Sequence, residues 1–428
     1  MMWVQTFGPE AASLQGRFVW KGLAVATQLF GKVETRQGLA SSMLCVDADR
    51  PNEFMLHLWE IPVPFAVLAI ATHGTEVHLR PHTIFDLGPG GGIRRPNVLP
   101  AEHLALRDGT SATLRPTQRG FEGHWSGPNG SSGSIEYHAV DTAGVLDVQV
   151  CTGWQQFKDW AQHARANRNA ISFRGHGSNA FRLKSTLHRA GRVRLDRYCQ
   201  TELVEFAAHA EASLDIRLKL DDPQDYATIL ALAQHHGLPT PMLDWTASPY
   251  VAAFFACSDA LAARDSRPDV SHARVYAATR SFMDGIAPAI VTIPQLPPYV
   301  SSLRVSPLHN RRLYAQQGHF LVSNVSDLED YICHLQAKTG LSAVFAADIS
   351  VADAVEALED LAYMGLTAAT LFPGLDGVCK MMAHQMSFTN QPLRTSEVAS
   401  GGPPRAVTED SEEPQPAAIA ISPPLLAP

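Results

Sequence analysis

Apolar and polar residues follow two regimes along the chain. Between Arg17 and Val140 the β-prone runs are short: Arg17-Phe18-Val19-Trp20, Phe54 to Trp59, Glu76 to Leu79 and Gly120 to Trp125. Some alternate with period two, and all are separated by Gly, Pro, Asn and Asp, the punctuation of strands and turns. The segment Gly127 to Gly133 offers residues that tolerate positive φ, so it predicts a turn pairing the last run with Ser134 to Tyr137 as a hairpin. A small β-rich domain over residues 1–147 is expected.

From Cys151 onward the spacing becomes mixed. Trp154, Phe157, Trp160 and Ala161 predict a helix over Gly153 to Ala166, followed by a strand from Ala170 to Arg174. Leu195, Cys199, Leu203 and Phe206 line one face of a helix from Arg194 to Ala212. The next helix is punctuated at both ends: Asp222 caps it, Pro223 suits its first position, and Gly237 with Pro239 stops it. Met242 to Thr246 then leaves as an extended segment. Ser248-Pro249 opens a helix whose Val251, Phe254, Phe255 and Ala262 face a core, so Asp244 and Thr246 lie between two helix termini. Ala273 to Thr279 and Ala343 to Ile349 read as strands, and Val351 to Tyr363 as a helix ending near Gly365. The fold class is α+β, with the mixed domain over residues 148–389. Residues 390–428 are rich in Pro, Ser, Ala and Glu, and a disordered tail is expected there.

With 428 residues and a formal charge of −8, the chain has no general basic field, which argues against nonspecific nucleic-acid binding. Its six cysteines form no CxxC pair and no short framework, so reduced thiols in a cytoplasmic protein are expected. No basic stretch followed by an apolar one opens the sequence. The longest apolar stretch, Ile61 to Thr72, contains two prolines and is too short to cross a bilayer, so no membrane association is expected. Ile84 to Gly92 resembles the strand and glycine loop of a nucleotide site, but Pro96 and Pro100 interrupt the helix that such a loop needs. It reads as an ordinary β-connection.

The candidate chemistry gathers around two segments. Arg174, beside Gly175 at a strand end, suits either a structural pair with a carboxylate such as Asp244 or a forked donor to phosphate, carboxylate or ribose. His235 and His236 close a helix; adjacent helical positions point about 100° apart, and no metal site is expected from them. Asp244 and Thr246 suit a pocket or the capping of the next turn, and Trp245 suits a core.

Phe173-Arg174-Gly175, the run Gln234-His235-His236-Gly237-Leu238-Pro239-Thr240 with Leu243-Asp244-Trp245-Thr246 and Ser248-Pro249, the Arg312, Gln316, Gly318 and Phe320 set, and Leu371 to Gly377 form four ordered blocks. Together they resemble the FRG domain family over roughly Val148 to Ala383. Pro241 stands where that pattern usually has an arginine. The blocks are also similar in order to ADP-ribosyltransferases, which carry Arg-Gly on one strand, a Ser/Thr-rich strand leading into a helix, and a late Glu or Gln. That likeness implies NAD as a substrate. Arg174, Gly175, His235, Thr246, Ser248 and Arg312 would bind it, while Arg174, Asp244, Thr246 and Gln316 would serve the chemistry. A noncatalytic module for a nucleotide or a protein partner is the alternative, and both readings stand at this point.

Overall fold

The structure, a computed structural model, describes residues 26–389 apart from 89–90, 97, 99, 141–143, 215, 287–292, 304 and 306–310. The expected strand at Arg17 to Trp20 and the expected tail at 390–428 lie outside the described residues.

The β-rich part is a meander of β1 (Thr27–Thr35), β2 (Gly38–Val46), β3 (Glu53–Trp59), β4 (Phe65–His73), β5 (Val77–Leu87), β6 (Ile93–Arg94), β7 (Ser111–Pro116), β8 (Gly120–Ser126) and β9 (Ser132–His138). One helix, α1 (Ala101–Gly109), precedes β7. Apart from the short β6, which pairs only with β5, each strand pairs antiparallel with a neighbour on either side, and the pairing of β1 with β9 closes the meander into an eight-stranded barrel. Closure removes the free edges of an open sheet. The expected hairpin forms between β8 and β9, with Asn129 and Gly130 at positive φ in the turn. β5 and β6 pair antiparallel at Asp86 with Arg94 and Leu87 with Ile93, and the Gly88 N–H donates to the Gly92 carbonyl at 2.7 Å, while Pro89 and Gly90 of the glycine run lie outside the described residues.

Leu29, Leu44, Phe54, Leu79, Leu114, Phe121 and Tyr137 fill the barrel. On β2 and β3 the alternate residues Met43, Cys45 and Met55 face outward, yet they too are buried, against Val193 and Leu296 of the second sheet's domain. Charged groups fasten the same contact. Asp47, fully buried, accepts from the backbone N–H groups of Val193 (2.7 Å) and Arg194 (2.9 Å) and from the guanidinium groups of Arg192 (3.2 Å) and Arg197 (3.1 Å). Arg194 in turn reaches Glu53 and Asp196 at 2.5 and 2.9 Å. Gln28 adds a second fastening, since its side chain binds the Asn324 carbonyl and the Ser326 amide, both at 2.7 Å.

The second sheet begins with β10 (Val148–Cys151), α2 (Trp154–Ala166) and β11 (Ala170–His176). Four helices follow: α3 (Thr186–Arg189), α4 (Leu195–Gln200), α5 (Glu202–Leu214) and α6 (Pro223–His235). The chain re-enters the sheet at β12 (Met242–Thr246), then runs through α7 (Pro249–Ala262), β13 (His272–Thr279), α8 (Arg280–Gly285), β14 (Val300–Leu303), α9 (Arg311–Ala315) and β15 (Gly318–Ser323). It ends with α10 (Leu328–Thr339), β16 (Val344–Ser350), α11 (Ala354–Tyr363), α12 (Ala368–Leu371) and α13 (Leu375–Thr389). The strand order is β10-β16-β13-β11-β12-β15-β14, antiparallel except for β10 with β16. The single helix expected over Arg194 to Ala212 is two helices, α4 and α5, broken at Thr201, whose ψ of −79° leaves the helical track. The helix at Asp222 is as its punctuation implies: the Asp222 carboxylate accepts from Gln224 and Asp225, and Gly237 follows the end at φ 87°.

One face of the sheet is covered at two ends by different helices. Phe173, Val275, Ala277 and Phe345 pack against α2, α7 and α11, whereas Met242, Phe320 and Val322 pack under α3 to α6. The opposite face carries Leu243, Trp245, Tyr276 and Leu321 against α10. A seam therefore runs across the first face where the two helix groups meet.

Candidate functional site

Residues 242, 244 and 246 of β12 point to the seamed face, because side chains on a strand alternate. Met242 and Thr246 are buried, but the Asp244 side chain between them is 59% exposed. The seam opens at that carboxylate. Gln234, near the end of α6, donates to Asp244 Oδ2 at 2.9 Å, and its own carbonyl oxygen accepts from the Thr240 hydroxyl. Thr240 and Thr186 are joined by two hydrogen bonds, Thr240 N–H to Thr186 Oγ1 (3.1 Å) and Thr186 Oγ1–H to the Thr240 carbonyl (3.3 Å), which tie α3 to the same place.

Arg174 belongs by strand alternation to the opposite face, where it is in register with Tyr276. It reaches Asp244 because β11 and β12 pair at one position only, Phe173 with Thr246, and then part. The guanidinium crosses that parting. Its Nη1 donates to the Asp244 carbonyl oxygen at 2.5 Å and lies 3.8 Å from the Asp244 carboxylate, while its Nε donates to His176 Nε2 at 2.9 Å. The structural pairing of Arg174 with Asp244 is thus present. A guanidinium has five N–H donors, and these two bonds leave three with no hydrogen-bond partner among the described residues. Only 15% of the Arg174 side chain is exposed.

Because Nε2 of His176 accepts, its Nδ1 carries the proton and donates to the Phe181 carbonyl at 3.2 Å. Burial and the neighbouring Arg174 charge hold His176 well below the ordinary histidine range, so the ring is neutral and remains an acceptor. For Arg174 itself, burial lowers the pKa, Asp244 raises it, and Arg189 lowers it again. Arg189 sits one helical turn from Thr186, on the side of α3 tied to Thr240. Its Nη1 donates to the Lys184 carbonyl at 2.8 Å, and no carboxylate among the described residues pairs with it.

Gly175, read from the sequence as a ligand-binding position beside the arginine, has little open space at its α-carbon. That space belongs to α7: a Cβ at Gly175 would lie 1.9 Å from the Ala252 carbonyl oxygen. The remaining expected residues form a second network. The Thr246 hydroxyl donates to the Gln316 carbonyl at 2.7 Å and accepts from the Ser248 amide at 3.1 Å, while Ser248 caps α7 by accepting from Val251. The Gln316 side-chain amide donates to the Leu371 carbonyl at 3.0 Å. Arg312 of α9 stands 5.6 Å from the Phe372 ring, and its charge, after burial, helps to lower the pKa of His235. His235 and His236 meet edge to face. Among the described residues no group of three His, Cys, Asp or Glu side chains is placed to hold a metal ion. Trp245 is core, as read from the sequence.

The structure thus brings Arg174 and Asp244 together and puts Thr246, Ser248 and Gln316 in a neighbouring network along β12. Sequence reasoning did not name His176 or Arg189. Strand alternation puts Ser172, Arg174 and His176 on one face, which was a signal for His176; Arg189 offered none, since only the fold of α3 onto Thr240 brings it near.

No curated protein and no solved structure matches the chain. A family model does match, from just before β11 to just after α7, and it takes in Phe173-Arg174-Gly175, Arg189, Gln234, Asp244, Thr246 and Ser248 but not Arg312 or Gln316. No helix among the described residues is long and apolar enough to cross a membrane. By that match the chain carries an FRG domain, at residues 169–265.

Proposed function

We propose that the FRG domain receives a phosphorylated, nucleotide-like small molecule at the parting of β11 and β12, with Arg174 as its anchor. One observation carries this reading: the Arg174 guanidinium is fixed by two hydrogen bonds yet keeps three N–H groups without a partner among the described residues. A mostly buried guanidinium with unspent donors gains from a forked oxyanion. His176 supports it by accepting from Nε and leaving the Nη edge to a ligand. The reading goes with a cytoplasmic protein, where nucleotides are abundant and the six free cysteines stay reduced. Isothermal titration of the full chain with ADP, AMP and NAD tests it. Binding by at least one of them, lost in Arg174→Lys, is expected; a lysine keeps the charge but not the fork. Absence of binding to all three would overturn it.

A second reading, cleavage of NAD with transfer of ADP-ribose, is favoured by the exposed Asp244 carboxylate beside Arg174. Loss of nicotinamide leaves positive charge on the ribose, which a carboxylate stabilises better than an amide. Gln316 already uses its amide on Leu371, so Asp244 is the better candidate for that task. Nicotinamide release by the full chain, abolished in Asp244→Asn, is the expected result. Release unchanged in that variant, or none from the full chain with any acceptor, would dismiss it.

A further inference from the structure

We propose that the barrel is a working part of the FRG site: Asp47, which follows β2, is a positioning residue that acts through α3 on Thr240 and Gln234. The positioning is a property of the ligand-free chain, and its effect on binding rests on the anchor reading above.

The contacts run in an unbroken series. The Asp47 carboxylate accepts from the backbone N–H groups of Val193 and Arg194 at 2.7 and 2.9 Å, and the next residue, Ala48, donates its N–H to the Gly191 carbonyl at 2.9 Å. Gly191 lies so close that a Cβ there would be 2.9 Å from the Ala48 Cβ, and its φ of 77° suits glycine. The loop so gripped closes back on α3. Arg192 N–H donates to the Leu187 carbonyl and Gly191 N–H to the His188 carbonyl, each at 3.2 Å. At the start of α3, the Leu187 N–H and the Thr186 hydroxyl both donate to the Thr240 carbonyl, at 3.2 and 3.3 Å. Hydrogen bonds thus hold α3 between the barrel and Thr240.

Thr240 is fully buried, and its hydroxyl is committed in both directions: it accepts from the Met242 N–H at 3.3 Å and donates to the Gln234 side-chain oxygen. With that oxygen engaged, Gln234 presents its amide N–H groups to Asp244, 2.9 Å from Oδ2. The carboxylate so held stands 3.8 Å from Arg174 Nη1, beyond hydrogen-bond length. When α3 slackens, Thr240 and Gln234 lose their fixed orientation, and Asp244 is released to close on the unspent Arg174 donors. The barrel therefore acts on anion binding without touching the anion. The matched segment, residues 169–265, contains α3, Gln234, Thr240 and Asp244 but not Asp47, so the site is completed from outside it.

The test uses the full chain and two readouts: amide hydrogen exchange over α3 and over β13 without ligand, and isothermal titration with ADP. Asp47→Asn keeps an acceptor for the two amides but turns an NH2 group toward Arg192 and Arg197, which now share the second carboxylate oxygen. Exchange over α3 is expected to rise about tenfold with β13 unchanged, and ADP binding to weaken about fivefold. Thr186→Val cuts the link at α3 and leaves Asp47 in place. It should weaken ADP by a similar factor, and the double variant should bind no worse than either single one, because both act through one link. A general loss of stability would instead speed exchange over β13 as well and make the two losses add. Gly191→Ala, which forces the loop away from Ala48 and leaves the carboxylate alone, takes the place of Asp47→Asn should that variant not fold. Exchange over α3 at the parent's rate, exchange that rises equally over β13, or additive losses for ADP would overturn the inference. If no form binds ADP while α3 exchange rises alone, the anchor reading falls and the positioning stands. If Arg174→Lys abolishes ADP binding while Asp47→Asn changes neither readout, the anchor stands and the positioning falls.

Discussion

Replacing Gly175 by alanine is expected to break the packing on which the site is built. The added Cβ would lie 1.9 Å from the Ala252 carbonyl oxygen and 2.9 Å from the Ala256 nitrogen, both backbone atoms of α7 that no side-chain rotation can move. Helix and strand must separate by about 1.5 Å to restore van der Waals contact, and a gap of 0.5–1 Å already forfeits about a quarter to a half of each dispersion well along the contact. The face that loses contact includes Val251, Ala252, Phe254 and Ala256, all buried. Overpacking of a native core costs about 1–3 kcal/mol, and a backbone clash on a helix that cannot tilt belongs at the upper end, about 3 kcal/mol. Gly285→Ala is the control: it closes α8, has nothing within 4 Å of its added Cβ and needs no positive φ, so it should be neutral or gain up to about 1 kcal/mol. Urea denaturation of both variants measures the difference. A Gly175→Ala protein with the midpoint of the parent would refute the reasoning, because α7 would then not need the hydrogen at that position.

Asp47→Ala is expected to cost about 3 kcal/mol by the same measurement, since it leaves two buried amides without their acceptor and removes the buried carboxylate that Arg192 and Arg197 share, although Glu202 and Asp49 still bind those guanidinium groups; a loss below about 1 kcal/mol would mean the ionic fastening of barrel to sheet is unimportant. Burial pulls His57 down to about 4 from the ordinary 6.5. The unfolded chain therefore takes up a proton at His57 before the folded one does, so His57 should contribute about 3 kcal/mol to the stability lost as pH drops from 6.5 to 4, alongside the losses from His176 and His188, and His57→Gln should flatten the slope by that share. An identical slope in the variant would contradict this. Burial likewise raises Cys45, Cys199 and Cys257 to about 12 and Cys151 and Cys333 to about 11, whereas Cys379 is exposed. Iodoacetamide on the native chain should modify Cys379 first by peptide mass spectrometry, and earlier modification of any other cysteine would count against the burial that raises those thiols.

Local signals in the sequence were sufficient for most single elements. Capping by Asp222 and Ser248, and the glycine at 237, mark helix ends through bonds made within a few residues, so they are legible without tertiary context. Barrel closure was not legible. It depends on β1 meeting β9 across more than a hundred residues, at a place where Gly31 lets the Glu136 and Tyr137 backbone approach; no residue pattern announces that pairing. The break between α4 and α5 was also hidden, because Leu195, Cys199, Leu203 and Phe206 keep helical spacing through Thr201. For the site, residue types pointed to Arg174 and Asp244, but their meeting depends on how early β11 and β12 part, which is a property of the whole sheet.

That parting explains why three adjacent residues carry the motif. Phe173 makes the single pair with Thr246 and is buried under α7, so it fixes where β11 and β12 touch. Gly175, two residues on and on the same face, admits the α7 backbone that a larger residue would push away. Arg174 points the other way, into the gap that those two neighbours create, where it replaces a missing ladder bond by donating to the Asp244 carbonyl. An apolar residue at 174 would leave that carbonyl without its Arg174 donor, and a lysine could donate to it only by giving up the bond to His176. The arginine is thus held by the architecture before any ligand arrives. Its remaining donors are pre-organised at little entropic cost, which is the condition for a strong anion contact on a seam that otherwise presents one carboxylate.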